Sequence, residues 1–295
     1  MRTAAPLVLP VLVASLLLTG CGSERAGSPS GGSDARGDAT GASPRSPGSD
    51  PGPHGVRITG LTTPSPGGPS AISAAYEVTN DGTEALTYTI VFDFTTDAGA
   101  VMDNTRQTVR DVGPGRTVRR TVDMPPAMGG YDLTRIKVSE VTAVPAGEAP
   151  AAPGECPPSG VRVFADEGDA AMGLRVVGLW LENCTTGAYR VEGYPRLTVL
   201  DEDRAPVDGV RIVHGSGGIT SAPADVDDPP RPLTLKPGER ARAGMVWRNT
   251  TEAGTPVDAP YVRVRPKSGA APVMVTPHLD LGTTGKLGVG PWSTP

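Results

Sequence analysis

Leu86-Thr87-Tyr88-Thr89-Ile90-Val91-Phe92-Asp93-Phe94 decides the fold. Leu86, Tyr88, Ile90, Phe92 and Phe94 recur at every second position, while Thr87, Thr89 and Asp93 fall between them. Side chains alternate across a strand, so this spacing predicts a half-buried β-strand. Upstream, Ile72 to Thr79 alternates more loosely and ends in Asn80-Asp81-Gly82. Those residues tolerate positive φ and predict a turn. Downstream, Asp97-Ala98-Gly99 and Gly113-Pro114-Gly115 predict further turns. Val118, Arg120 and Val122 predict the next strand, and Ile136 to Val141 another. Short strands between Gly and Pro turns predict an antiparallel sandwich over residues 54–145.

A second β pattern begins at Cys156. In Leu174 to Leu181 both alternating sets are apolar, which predicts a central strand covered on both faces. Leu197–Leu200, Leu233–Leu235, Ala243–Trp247 and Val262–Val264 predict further strands. Asn183-Cys184-Thr185-Thr186-Gly187 and Lys236-Pro237-Gly238-Glu239 predict turns between them. Trp180 and Trp247 are expected in the core, with Trp292 either exposed or capping it. The fold class is therefore all-β, with two antiparallel, immunoglobulin-like β-sandwich domains at 54–145 and 156–295. Residues 146–155, rich in Pro and Ala, predict an extended, stiff joint.

The composition fits this reading. Gly 39 and Pro 32 make up about a quarter of the 295 residues, and aromatic residues only 4%. That argues against long helices and a large α/β core. Net charge is -5, spread evenly, which gives no electrostatic case for nucleic acid. Arg greatly outnumbers Lys, a bias expected of a GC-rich bacterial genome.

The N-terminus predicts an address. Met1-Arg2 precedes an apolar run from Ala4 to Leu18, too short to span a membrane comfortably. Leu18-Thr19-Gly20-Cys21 resembles the lipobox of bacterial lipoproteins at all four positions. The resemblance implies removal of residues 1–20 as a signal peptide and lipidation of Cys21, which would hold the chain on the outer face of the cytoplasmic membrane. Residues 21–53 contain no aromatic and no large aliphatic side chain, and predict a disordered tether. Its 32 residues from Gly22 to Pro53 would reach roughly 30 Å on average.

Two further resemblances concern the β segments. Glu77-Val78-Thr79-Asn80, Val91 to Gly99 and Val112-Gly113-Pro114-Gly115 resemble the FxLYD-type and related immunoglobulin-like modules of bacterial surface lipoproteins. That resemblance implies packing or adhesion and carries over no catalytic residue. Cys156, Leu181-Glu182-Asn183-Cys184, Gly193-Tyr194-Pro195, Leu235-Lys236-Pro237-Gly238 and Trp247 resemble an actinobacterial domain of unknown function, family 4232. This second resemblance implies an architecture without an assigned activity.

With Cys21 lipidated, Cys156 and Cys184 remain. An even pair outside the cytoplasm predicts one disulfide, the alternative being two free buried thiols. The bridge would close a loop of about 29 residues, worth roughly 3.5 kcal/mol in chain-entropy terms.

Catalytic signals are sparse. The three histidines, His54, His214 and His278, stand apart in loop-like contexts. No zinc-protease, dinucleotide-binding or P-loop pattern occurs. His214-Gly215-Ser216-Gly217-Gly218 lacks the register of a nucleophile elbow. Asp201-Glu202-Asp203 and Asp225-Val226-Asp227-Asp228 are acidic but lack EF-hand spacing, so they predict solvated loop charge, with a weak Ca²⁺ site as the alternative. No cofactor is implied. The function expected is non-catalytic binding or scaffolding of a cell-wall or envelope-protein partner, with the Gly215–Arg231 loop as contact surface. The alternatives are an envelope enzyme or its accessory subunit, using His214, Asp227 and Asp228, and a purely structural spacer.

Overall fold

The computed structural model describes residues 53–62, 72–124, 133–221 and 225–295. The expected signal peptide, Cys21 and all of the tether except Pro53 lie outside the described residues. Among those described there is no α-helix, only strands and short 3-10 turns.

The first six strands are β1 (Val56–Thr62), β2 (Ser73–Thr79), β3 (Leu86–Thr96), β4 (Val101–Val112), β5 (Thr117–Asp123) and β6 (Leu133–Pro145). They pair antiparallel as two three-stranded sheets, β1-β2-β5 and β4-β3-β6. The sheets share one core, to which β3 contributes all five of its alternating apolar residues. Tyr76 of β2 meets Phe92 of β3 with ring centroids 4.8 Å apart. Each fully buried side chain of this size contributes roughly 1.5–3 kcal/mol. Sequence periodicity marks no strand between Gly99 and Gly113, where β4 lies. Paired only to β3 at a sheet edge, β4 buries Val109 and Val112 and otherwise presents polar or exposed residues.

Thirteen strands follow: β7 (Val161–Ala165), β8 (Asp169–Ala171), β9 (Leu174–Asn183), β10 (Tyr189–Val191), β11 (Arg196–Leu200), β12 (Arg211–His214), β13 (Leu233–Leu235), β14 (Arg240–Arg248), β15 (Asp258–Ala259), β16 (Tyr261–Arg265), β17 (Val273–Val275), β18 (Leu279–Asp280) and β19 (Lys286–Val289). The principal sheet runs β12-β19-β14-β9-β7, with β8 also paired to β9. Its inner face packs against sheet β11-β16-β17 through Leu179, Leu181, Met245, Trp247, Val262 and Val264. The all-β, largely antiparallel architecture is as expected, with one parallel pair, β12 and β19. More than seventy residues separate these strands, so no hairpin fixes their relative direction.

Trp247 and Trp292 are buried, and each indole N–H finds an acceptor, Asp280 Oδ1 at 2.7 Å and the Pro266 carbonyl at 2.8 Å. Trp180 corrects its expectation. It alternates with core residues Leu179 and Leu181, so it faces outward and is only partly buried. Cys156 and Cys184 form the disulfide, with Cα atoms 5.6 Å apart.

One polar device closes a strand end in both halves. Asn80 is fully buried. Its Nδ2 donates to the Glu84 and Val112 carbonyls at 2.8 and 2.7 Å, and its Oδ1 accepts from Gly82 N–H at 2.9 Å. Its own N–H donates to the Arg116 carbonyl, and its carbonyl accepts from Gly115 N–H. Asn183, also fully buried, repeats the pattern. Its Nδ2 donates to the Gly187 and Leu235 carbonyls, and its Oδ1 accepts from Thr185 N–H. Its N–H donates to the Glu239 carbonyl, and its carbonyl accepts from Gly238 N–H. Each asparagine thus ties its own turn to a Pro-Gly turn more than thirty residues away, Pro114-Gly115 or Pro237-Gly238.

The described residues belong to one compact unit. Within it, 146–155 is held by side chains on both sides. Arg110 donates to the Pro150 carbonyl, Arg162 donates to the Ala151 carbonyl, and Glu148 pairs with Arg263 at 2.7 Å. Val144, Leu200, Tyr261 and Met274 form a shared apolar cluster, with Ala149 against it. At Ala143 of β6, the N–H donates to Tyr261 Oη at 3.1 Å and the carbonyl accepts from Arg204 at 3.2 Å. Burial pushes the Tyr261 phenol pKa up. His278 Nε2 lies 2.8 Å from Glu140 of β6, and this hydrogen bond holds the Glu140 carboxyl below its usual range.

Removing either asparagine amide strands buried backbone groups, each worth about 1–3 kcal/mol. Asn80→Ala and Asn183→Ala are therefore each expected to lower unfolding free energy by several kcal/mol in urea titration. A change below about 0.5 kcal/mol, the level of an ordinary surface substitution, would refute the latch.

Candidate functional site

The outer face of the principal sheet is covered in one part and open in another. The covering comes from the described residues of Gly215–Arg231, the segment expected to be the contact loop, and several of them are anchored. Ile219 and Val226 pack with Val246 of β14, flanked by Leu174, Val176 and Val213. Val226 fits because residue 244 is glycine: a Cβ there would lie 2.6 Å from Val226 Cγ1. Ser216 is buried, and Asp227 accepts from both its N–H and its hydroxyl at 2.7 Å. Arg248 Nε donates to the Ile219 carbonyl at 2.7 Å.

These contacts separate the residues of the expected loop site. His214 turns to Tyr194, its ring parallel at 3.7 Å between centroids. Asp227 turns to Ser216, and Asp228 is exposed. Among the described contacts, His214 and Asp227 thus take different partners. What the segment does build is a rim. Asp228, Pro229 and Arg231 line a cleft of about 420 Å³, completed by Arg242, Trp292, Ser293 and Thr294.

Beside this cleft the open part of the face carries a ladder of rings and guanidinium groups. Strand register places Phe164 of β7 opposite Trp180 of β9, and Trp180 opposite Arg242 of β14. The two rings are nearly parallel, at 12° and 6.4 Å. Arg162 lies over Phe164 at 4.2 Å and Arg242 over Trp180 at 5.9 Å, within cation–π range. Glu182 joins Arg162 at 2.6 Å to Arg240 at 3.1 Å. Asp166 accepts from Trp180 Nε1 at 2.9 Å and from Gly178 N–H at 2.7 Å. Gly178 makes this possible, since a Cβ would collide with Asp166 Oδ2 and Arg242 Nε. Sequence reading missed the ladder because its members lie on three strands. The one local signal was the alternation of Phe164 and Trp180 with core residues.

The first acidic cluster behaves as turn chemistry. Asp201 Oδ1 accepts from Ala205 N–H at 2.8 Å within its hairpin. Among the described residues, no group of three or more His, Cys, Asp or Glu side chains is placed to hold a metal ion. The side chain of Asp225 and the whole of Cys21 lie outside the described residues.

Gly178→Ala is expected to displace Asp166 and loosen the indole. Its predicted signature is a red-shifted, more quenchable Trp180 fluorescence, with Trp180→Phe as the reference. Unchanged emission would show that the ladder does not depend on this close approach.

Residues 156–293 match the family described as Domain of unknown function (DUF4232). No curated protein matches the chain.

Proposed function

We propose that the chain is a lipid-anchored cell-envelope protein of an actinobacterium with a non-catalytic binding or scaffolding role. Cys21 holds it on the outer face of the cytoplasmic membrane, residues 21–53 give it reach, and an FxLYD-like module at 54–145 precedes the matched domain. The Cys156–Cys184 bridge is the observation that carries the reading. Structural disulfides belong mostly to oxidising compartments. The third cysteine then falls where a lipobox would place it. The diverging partners of His214 and Asp227 favour binding over hydrolysis. The partner, a cell-wall component or an envelope protein, meets the exposed Asp228–Arg231 rim and its cleft.

Cys21→Ala is expected to move the protein from the membrane fraction to the culture supernatant. Retention of the variant in the membrane pellet would remove the lipid anchor from the account.

A further inference from the structure

Among the described residues, one large apolar side chain stands apart from every packing argument above. Met172 is 98% exposed, at the turn joining β8 to β9. Its φ is 50°, in the left-handed region that a long side chain rarely adopts. Neighbouring backbone groups hold the turn there. Asn249 N–H donates to the Gly173 carbonyl at 3.0 Å, and Arg248 Nη1 donates to the Met172 carbonyl at 3.3 Å. The backbone is pinned while the thioether is held in solvent. Ala170 and Ala171 beside it are exposed and too short to shield the sulfur.

The other methionines provide internal controls. Met245 and Met274 are fully buried in the cores, and Met102 is 37% exposed. Thioether oxidation follows access, and among the described methionines Met172 has the most. We infer that Met172 is a peroxide-sensitive modification site whose oxidation leaves the fold intact and can be reversed. The Met172 sulfur lone pair attacks a peroxide oxygen, and the O–O bond breaks. Sulfur loses two electrons and gains the oxygen, while the departing hydroxide takes the remaining proton as water. No packed contact is lost, because the side chain has none to lose. The sulfoxide stays open to enzymatic reduction for the same reason. This inference does not rest on the proposed binding role.

The test is graded hydrogen peroxide treatment of the full chain, followed by peptide mapping by mass spectrometry. Met172 is expected to gain oxygen several-fold faster than Met102, with Met245 and Met274 protected until the protein is denatured. The oxidised protein should keep its circular dichroism spectrum and thermal midpoint. Treatment with a methionine sulfoxide reductase should return the Met172 peptide to its original mass. Met172→Leu should abolish the fast phase and leave the Met102 rate unchanged. A Met172 rate no faster than that of Met102, a fall in thermal midpoint on Met172 oxidation, or resistance to the reductase would overturn the inference.

Discussion

Two buried asparagine side chains carry the geometry of this protein. A side-chain amide offers two donors and one acceptor oxygen, and at Asn80 and Asn183 these groups meet backbone partners. Each residue joins the end of a core strand to a distant Pro-Gly turn. In a chain with only 4% aromatic residues, apolar burial alone specifies strand ends weakly. A fully satisfied polar contact has one geometry, and a slipped register would strand its buried partners. The latch at Asn183 also lies beside the Cys156–Cys184 bridge, so covalent and hydrogen-bonded constraints act at the same end of β9.

A second constraint joins the halves. β6 pairs with β3 on one side only, and an edge strand leaves backbone groups to be satisfied or shielded. Tyr261 and Arg204 satisfy both the N–H and the carbonyl of Ala143, above the apolar cluster of Val144, Leu200 and Met274. The connection at 146–155 is held to both halves at Glu148, Pro150 and Ala151.

Much of this was legible in the sequence, for physical reasons that particular residues show. Leu86 to Phe94 announces its strand because every second residue enters one core. Pro114-Gly115 and Pro237-Gly238 announce turns because few other pairs favour that backbone. The equivalence of Asn80 and Asn183 was hidden. One precedes Asp-Gly and the other Cys-Thr, and what they share is bonding rather than local sequence. β4 was hidden because an edge strand needs few apolar residues. The parallel β12–β19 pair was hidden because nothing local encodes a pairing across such a separation. The Gly215–Arg231 segment read as a long loop because Ile219 and Val226 are its only large apolar residues among many Gly, Pro and Asp. The cysteine pairing was legible by counting, whereas the diverging environments of His214 and Asp227 required the fold.

The central claim is that these polar latches are among the most stable contacts of the molecule. Native-state amide hydrogen exchange tests it most directly. The account predicts that Gly82, Gly115, Thr185 and Gly238 N–H groups, though they sit in turns, exchange as slowly as core amides of β3 and β9, opening only with global unfolding. Exchange of these amides at the fast rate of exposed loops, with the β3 and β9 cores still protected, would contradict it.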